Sequence, residues 1–373
     1  MTIVEATPPP ATAVAAPIHS LQIIASPALG GAEIAYQRTV EALQRAGHAP
    51  TCVLRRNARL ETVLRDRLPL RSEAMRSYWD LGSVLRIRAL LKTGTWPIVQ
   101  TWATRATWLT RAPRGVLHIA RIGGFYRLSR FRHADGWIVN TPSLRQWLID
   151  EGFPAQRVAH IDNFVPDLPA DTTPPLTRAT LGIGDDALLL VSSGRLIEAK
   201  GFHDLLAALA ALPAAYDGRP LHLLLLGDGP YRPQLEQLAV QLGIAARVHF
   251  AGWVEQAVAA LPIADLFVLP SHKEALGNVI LEAWSRGLPA ISTETAGGRY
   301  LIRDGENGLL APIADARALA NGLDRVLGDP ALRASLAREG HDCFRSSFSE
   351  HSTVAAYEDF YRHLISLGPQ RHR

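Results

Sequence analysis

Short apolar runs alternate with helical segments along almost the whole chain, and this alternation constrains the fold more than any other feature. Residues 21–25 (LQIIA) and 50–54 have the pattern of strands, and a helical segment at 33–46 lies between them, with Gly47 as its expected C-terminal cap. Strands and helices in this order are typical of βαβ units, in which a crossover helix returns the chain to a parallel sheet. The sequence therefore predicts an α/β fold.

The same alternation continues in two series. Further strands of the first series are predicted at 97–101, 116–120 and 136–139, and Pro142 suits the first turn of a helix that starts within 140–143. The second series has continuous apolar strands, typical of sheets covered on both faces, at 187–191, 221–226, 247–250, 266–269 and 289–292, with helices near 202–211, 233–242 and 277–286. We expect two Rossmann-like, doubly wound domains that face each other across a cleft, with ligands beyond the carboxyl ends of the strands.

The segment 165–175 (VPDLPADTTPP) is rich in Pro and Asp and has no apolar periodicity, which favours a linker. It divides a first domain, predicted at 18–168, from a second domain at 169–348, and residues 349–373 follow. Residues 1–17 have no basic start followed by an apolar core, so they predict a disordered tail and not a signal peptide.

Cysteine content and hydropathy indicate the compartment. The two cysteines, Cys52 and Cys343, lie far apart in no metal or redox spacing, which is consistent with a reducing compartment. No run of about 18 or more apolar residues occurs, so no membrane-spanning helix is predicted. We expect a cytoplasmic protein.

Charge is distributed unevenly. Residues 1–171 contain 21 Lys and Arg against 13 Asp and Glu, a balance of +8, which leaves −4 for the remainder of a chain with net charge +4. The basic excess is mostly arginine, clustered at Arg55, Arg56, Arg59, Arg65, Arg67, Arg71, Arg76, Arg86 and Arg88. One interpretation is a solvated surface; another is a face that contacts an anionic acceptor or anionic lipid at the inner face of the cell membrane. Nucleic acid is a weaker third alternative and is not expected as a partner, because no basic motif with interleaved aromatic residues accompanies the arginines.

Two glycine-containing turns follow predicted strands. Gly30 and Gly31 stand between the first strand and the first helix, where small residues and free N–H groups admit a phosphate. Gly194 follows the strand ALLLV and leads to Arg195 and Lys200, two cations five residues apart that suit a diphosphate. Taken singly, an ordinary turn and a pair of surface cations explain these features equally well.

Two glutamates with seven residues between them form the third feature. Glu274 lies in a predicted loop and Glu282 on the helix behind it, among mostly apolar neighbours. A carboxylate in such surroundings needs a partner, and ribose hydroxyls would supply one. The backbone N–H groups of Gly277 and Asn278, at the start of that helix, are available to phosphate or sugar oxygens.

Metal binding has little support in the sequence. No Asp-X-Asp occurs, and no His/Cys cluster has metal-ligand spacing. No metal and no cofactor are therefore expected, which increases the importance of Arg195 and Lys200 as the neutralising charges.

In this order and spacing, these segments resemble glycosyltransferase family 4, the retaining enzymes of GT-B fold. The resemblance covers residues 21 to about 364 and depends on GGAE, GRLIEAKGF, PSHKEALGNVILEAWSRGLPAIST and DGENGLL. Its closest phrases, RIGGFYRLSRFRHADGWIVNTP and EALGNVILEAW, resemble members that build lipopolysaccharide or other surface glycans. The resemblance also implies a last helix, within 349–373, that crosses back to the first domain.

The resemblance implies roles for individual residues. Glu274, Arg195 and Lys200 would be catalytic, with Glu274 on the donor sugar and the two cations on the diphosphate. The implied donor-binding residues are Gly30, Gly31, Gly194, Val254, Leu276, Gly277, Asn278, Val279 and Glu282, of which Val254 belongs to a loop facing the base and Glu282 holds the ribose.

Two departures from the family pattern affect the acceptor side. Many members have a histidine where this chain has Gly123, and the acceptor-side candidates are Gly123 itself with His118, Arg121 and His133. His118 lies at the start of the predicted strand, and the alternative for it is a core residue. Many members also have a glutamate where this chain continues from Gly297-Gly298 into Arg299 and Tyr300.

The implied function is transfer of a hexose-type sugar, with retention and without metal, from a nucleotide-sugar such as a UDP- or GDP-sugar to a glycan or lipid-linked acceptor. Catalysis would come from positioning and from stabilising the leaving diphosphate. Two alternatives remain at this point: a catalytically silent GT-B-shaped binding or scaffold protein, and an anion-binding module that uses the arginine-rich half.

Overall fold

The computed structural model describes residues 16–27, 30–166, 174–254 and 257–370. Most of the predicted tail and of the predicted linker lies outside these residues. The first domain contains strands β1 (His19–Ile24), β2 (Ala49–Arg55), β3 (Leu70–Glu73), β4 (Ile98–Trp102), β5 (Leu117–Ile122), β6 (Gly136–Val139) and β7 (Val158–His160). The second contains β8 (Leu188–Ser193), β9 (Ala215–Tyr216), β10 (Arg219–Leu226), β11 (Val248–Gly252), β12 (Leu266–Leu269), β13 (Ala290–Thr293) and β14 (Leu309–Ala311).

Helices connect the strands. They are α1 (Gly31–Arg45), α2 (Arg59–Leu64), α3 (Leu81–Leu91), α4 (Ala103–Leu109), α5 (Pro142–Asp150), α6 (Phe202–Ala211), α7 (Arg232–Gln241), α8 (Ala257–Ala260), α9 (Asn278–Ser285), α10 (Ala296–Leu301), α11 (Ala316–Gly328), α12 (Pro330–Ser347) and α13 (Glu350–Leu367). The predicted α/β fold is confirmed, and β6, β12 and α6 have the predicted bounds. Thr141 caps α5 by accepting a hydrogen bond from the N–H of Leu144, and Pro142 occupies the first turn.

Both sheets have the same topology. The first has the parallel order β3-β2-β1-β4-β5-β6-β7, and the second has the order β11-β10-β8-β12-β13-β14, in which only the short β9 pairs antiparallel, with β10. Strand order therefore reverses between β1 and β4 and again between β8 and β12. Crossover helices diverge at such a reversal and leave a crevice at the carboxyl ends of the strands, where open α/β sheets bind ligands.

The last two helices pack on different domains. In α12, Gly340 lies against Trp284 of α9, and a Cβ at residue 340 would come within 2.5 Å of that indole ring. The apolar face of α13 packs on β4, β5 and β6 of the first sheet. Leu364 lies so close to Gly136 that a Cβ on residue 136 would be 2.4 Å from Leu364 Cδ1. The chain therefore crosses back to the first domain between α12 and α13.

Within the described residues, no helix is both long enough and apolar enough to cross a membrane.

Candidate active site

The loop that joins β12 to α9 carries Glu274. Its last residue, Gly277, caps α9 with φ at +83°, a left-handed conformation that glycine adopts without strain. The backbone N–H of Gly297, in α10, donates to the carbonyl oxygen of Glu274 at 3.0 Å and holds the loop against that helix. The first N–H groups of α9 lack acceptors within the helix, so they form an anion-attracting end beside Glu274.

Lys200 and Glu274 form an ion pair across 74 residues of sequence. Lys200 Nζ and Glu274 Oε2 are 2.5 Å apart, and the two side chains are 25% and 19% exposed. Gly201 makes this approach possible, because a Cβ there would lie 2.0 Å from the carbonyl oxygen of Pro270, and its φ is +63°. The structure thus brings together two of the three predicted catalytic residues.

Arg195 lies at the carboxyl end of β8, directly after Gly194. Its side chain is exposed and forms no hydrogen bond or ion pair with any residue of the described ranges. The backbone around it is fixed, since the N–H of Gly194 donates to Leu226 at 2.9 Å and that of Leu196 donates to Asp228 at 3.0 Å. A fixed backbone with an uncommitted guanidinium is suited to an anionic ligand.

Glu282 is buried, at 8% exposure, and its partner within the protein is Arg38. Arg38 Nη2 donates to Glu282 Oε1 at 2.7 Å, and the side chains are only 14% and 11% exposed. Arg38 comes from α1 of the first domain, so this ion pair joins the two domains. Arg38 was not among the residues expected from the sequence, because a buried carboxylate indicates the need for a partner but does not identify it.

The glycines of the first domain lie opposite the start of α9. A Cβ at Gly31 would be 3.4 Å from Asn278 Nδ2, and Asn163 Nδ2 donates to Asn278 Oδ1 at 2.8 Å. Gly30 is the N-cap of α1 in an extended conformation. The structure therefore places Gly30, Gly31 and Asn278 on facing sides of one cleft.

The remaining predicted donor-side residues lie along the same edge of the second sheet. Leu276 is buried at 3% exposure, while Val279 and Val254 are half-buried and pack against the apolar core beneath the cleft. Val254 follows β11, and the neighbouring Trp253 is 53% exposed. An exposed aromatic ring at a strand's carboxyl end can stack on a planar ligand.

Arg121 does not face open space, contrary to its placement among the acceptor-side candidates. It is buried at 4% exposure and donates to the carbonyl oxygen of Ile161 at 2.9 Å and to Asn163 Oδ1 at 2.6 Å. Its guanidinium also lies over the rings of Trp102 and Tyr357, at 5.6 and 5.7 Å. These contacts hold the guanidinium inside the protein, where Arg121 orients Asn163, which in turn contacts Asn278.

His118 and His133 also lie away from this cleft. His118 is the second residue of β5 and is buried at 1% exposure, about 13 Å of strand from the carboxyl end. His133 precedes β6, and its Nε2 is 3.0 Å and 3.1 Å from the carbonyl oxygens of Thr107 and Thr110 at the end of α4. Both belong to the amino-terminal edge of the sheet, whereas Gly123, at the end of β5, is exposed with its nearest outside neighbour 3.9 Å from a Cβ.

Tyr300 lies in the segment where many family members have a glutamate, and it makes another contact between the domains. Its hydroxyl donates to Asp162 Oδ1 at 2.9 Å, and its ring meets that of His160 edge-on at 5.8 Å. Burial, together with the neighbouring Asp162 carboxylate, raises the pKa of Tyr300 far above its ordinary value, so the phenol stays protonated as a donor. Three contacts, through Arg38, Asn163 and Tyr300, therefore join the domains around the cleft.

Two family models match the chain. One, described as Glycosyltransferase Family 4, matches residues 29–167, and the other, described as Glycosyl transferases group 1, matches residues 175–342. Among curated proteins, the lipopolysaccharide core biosynthesis glycosyltransferase LpsE of Rhizobium meliloti (strain 1021) is 35% identical over 332 residues, which are 88% of this chain and 94% of the relative. LpsD of the same organism, also a lipopolysaccharide core biosynthesis glycosyltransferase, is 34% identical over 244 residues, 65% of this chain and 68% of the relative.

Solved structures share the fold. Anabaena HepE in complex with UDP-glucose superposes with a TM-score of 0.78 at 20% identity, over 93% of this chain and 100% of HepE. The lipopolysaccharide outer core galactosyltransferase WaaB superposes with a TM-score of 0.65 at 18% identity, over 92% of this chain and 99% of WaaB. These similarities confirm the predicted GT-B architecture.

Proposed function

We propose that this chain, which belongs to glycosyltransferase family 4, transfers a hexose-type sugar with retention from a UDP- or GDP-sugar to a hydroxyl of a glycan or lipid-linked acceptor. The observation that carries the proposal is the Lys200–Glu274 pair beside the N-terminus of α9, with the exposed Arg195 at the end of β8. Two cations and a set of free N–H groups at a strand-order reversal form a site for a diphosphate. Similarity to LpsE and LpsD supports an acceptor in lipopolysaccharide core assembly.

The proposed mechanism is a front-face displacement that needs no enzyme nucleophile. The nucleotide diphosphate leaves as the acceptor hydroxyl arrives on the same face of the sugar. Arg195 and Lys200 stabilise the negative charge that develops on the leaving group, and the first N–H groups of α9 add to that stabilisation. Glu274, held by its backbone contact to Gly297 and by Lys200, orients hydroxyls of the donor sugar.

We propose that donor binding needs no divalent metal ion, since the sequence contains no Asp-X-Asp and the side chains of Arg195 and Lys200 provide two positive charges. A direct test compares donor binding by calorimetry with UDP-, GDP- and ADP-sugars, each with magnesium and with a chelator. One donor that binds equally with and without metal supports the proposal. Binding only with magnesium would refute metal independence.

Lys200→Ala tests the charge assignment. We expect it to reduce kcat by roughly a hundred- to a thousandfold, because losing one preorganised contact to developing charge costs about 2.7–4 kcal/mol. Lys273→Ala is the matched control: it removes an exposed lysine from the loop that carries Glu274 and should leave kcat within a factor of a few. An equal reduction of kcat in the two variants would contradict the role of Lys200. If the unchanged protein binds donor but neither hydrolyses it nor transfers the sugar, it is a scaffold. The anomeric configuration of the product, read by NMR, tests retention.

We further propose that the first domain contacts an anionic lipid surface through the segment that leads into α3. Trp79, Leu81 and Leu85 are 81%, 72% and 68% exposed, which is unusual for large apolar side chains so close together. Beside them, the charged residues that line a cavity of about 540 Å³ are three arginines and one aspartate: Arg56, Arg76, Arg86 and Asp80. An apolar cluster beside arginines favours the headgroup region of an anionic bilayer, where a lipid-linked acceptor would be presented.

A further inference from the structure

His203 and Asp204, which are neighbours in the sequence, lie close to the distant His272 next to the proposed donor site. His203 and Asp204 occupy the first turn of α6, and His272 lies in the loop that carries Glu274. Their imidazole nitrogens and carboxylate oxygens all lie within 4.8 Å of one another. Gly201 causes the convergence, because its missing Cβ lets the start of α6 approach Pro270, and a Cβ there would also be 3.1 Å from His272 Cδ2.

The distances between the donor atoms are close to those of a metal site. Asp204 Oδ2 is 2.5 Å from His272 Nε2, and Asp204 Oδ1 is 3.5 Å from His203 Nε2. Zinc–nitrogen and zinc–oxygen bonds of about 2.0–2.2 Å in tetrahedral geometry separate neighbouring donor atoms by roughly 3.3 Å. Coordination would require Asp204 and His272 to move apart by about 0.8 Å, and the atoms of the third pair already lie within 4.8 Å of each other.

The surroundings suit an ion with one open position. The side chains of His203 and His272 are 29% and 28% exposed, so water can reach the cluster from one side. His203 Nδ1 is buried and has no hydrogen-bond partner among the described residues, so no second contact of this kind fixes the ring. The charge of the nearby residue Lys200 is offset by Glu274, and the side chain of Lys273 is exposed. The positive end of α6 opposes a cation, which limits the affinity.

We propose that His203, Asp204 and His272 bind one divalent transition-metal ion of the zinc class, with water completing the coordination. Two imidazoles and one carboxylate form a borderline ligand set that prefers zinc or cobalt to magnesium. The ion would link the start of α6 to the loop bearing Glu274, and would thereby stabilise the relative positions of Lys200 and Glu274. It is separate from the proposed metal-independent donor site and does not depend on the transfer reaction.

Titration of the full, untagged chain with Co²⁺ and Zn²⁺ tests the site without substrate. We expect one equivalent of Co²⁺ to bind with the visible absorption of a four-coordinate complex, and Zn²⁺ to displace it. His272→Ala and His203→Ala should each weaken binding more than about tenfold, since even the loss of outer-shell partners costs 10- to 100-fold. Two variants are needed because His272→Ala also removes a hydrogen bond to Asp204, whereas His203 contacts Asp204 only at 3.5 Å.

His249→Ala is the matched control. His249 Nε2 faces His222 Nδ1 at 3.1 Å on neighbouring strands, a histidine pair for which the structure gives no carboxylate contact within the described residues. Its replacement should leave the cobalt stoichiometry and affinity unchanged. Absence of cobalt binding to the unchanged protein would overturn the proposal. Loss of binding in His249→Ala, with none in His203→Ala and His272→Ala, would overturn it equally.

Discussion

Replacing Arg38 by methionine tests the contact between the domains at the carboxylate predicted to hold ribose. The variant keeps the length and the apolar stem of the side chain but leaves Glu282 without its partner at 2.7 Å. Removing one member of a buried ion pair costs about 3–5 kcal/mol, because the remaining charge is desolvated and unpaired. We expect the lower end, about 3 kcal/mol, since the domains can part slightly and admit water to Glu282.

The magnitude translates into melting temperature. For domains of this size, 1 kcal/mol shifts Tm by about 2–4 °C, so Arg38→Met should melt about 6–12 °C below the unchanged protein in calorimetry. Arg45→Met is the matched control: it lies on the same helix and pairs with Glu350 at 2.7 Å, but the side chains are 52% and 29% exposed. Exposed pairs contribute about 0–1 kcal/mol, so its Tm should change by no more than about 4 °C.

Adding nucleotide distinguishes a role of Glu282 in ligand binding from a purely structural role. If ribose hydroxyls bind Glu282, they supply the partner that Arg38→Met has lost, so saturating nucleotide should raise the Tm of the variant by more than it raises that of the unchanged protein. Equal or smaller protection of the variant would refute the ribose assignment of Glu282. A Tm within about 2 °C of the unchanged protein, without ligand, would refute the energetic reasoning about burial.

Three further outcomes follow from named contacts. Gly201→Ala should lower Tm and also abolish transfer, because the alanine Cβ would lie 2.0 Å from the Pro270 carbonyl oxygen. A variant with unchanged activity and Tm would show that the two loops can separate without loss of activity or stability. Trp79→Ala combined with Leu85→Ala should reduce co-sedimentation with anionic vesicles but not transfer to a soluble acceptor analogue, whereas unchanged sedimentation would rule out this lipid surface. Burial raises the pKa of the Cys52 thiol to about 11. At pH 8, mass spectrometry should therefore show that Cys52 resists iodoacetamide in the folded protein and reacts after unfolding. Rapid reaction in the folded state would contradict its burial.

Strands in the centre of a sheet were predictable, as was the edge strand β11, but the shortest edge strands of the first sheet were not. The apolar runs of β8, β10 and β12 are continuous because both faces of those strands are covered. By contrast, β3 and β7 have four and three residues at the edges of the first sheet, with half-exposed side chains and no continuous apolar run. Their positions depend on pairing with a neighbour, which no local pattern records.

Candidate residues at strand ends and helix starts were predictable in part. A parallel strand followed by a helix always turns at the same edge of its sheet, so the order of the motifs placed Gly30, Arg195 and Glu274 on the cleft side. His118 lies near the start of β5, as its position in the predicted strand indicated, and His133 precedes β6, so both lie at the opposite edge of the sheet. Arg121 has the right position on β5, but its ring and amide contacts bury it.

The sequence by itself determined the α/β class, the two series of strands and the family motifs, because strand and helix periodicities and glycine turns are local properties of the chain. Only the tertiary structure decided which distant side chains meet: Lys200 with Glu274, Arg38 with Glu282, and His272 with the adjacent residues His203 and Asp204. Gly201 lets two backbone segments approach closely at the first and third of these contacts, and at the second the side chain of Arg38 on α1 reaches Glu282 on α9. Contacts between distant segments depend on how helices and sheets pack against each other, and the order of residue types along the chain does not give that packing.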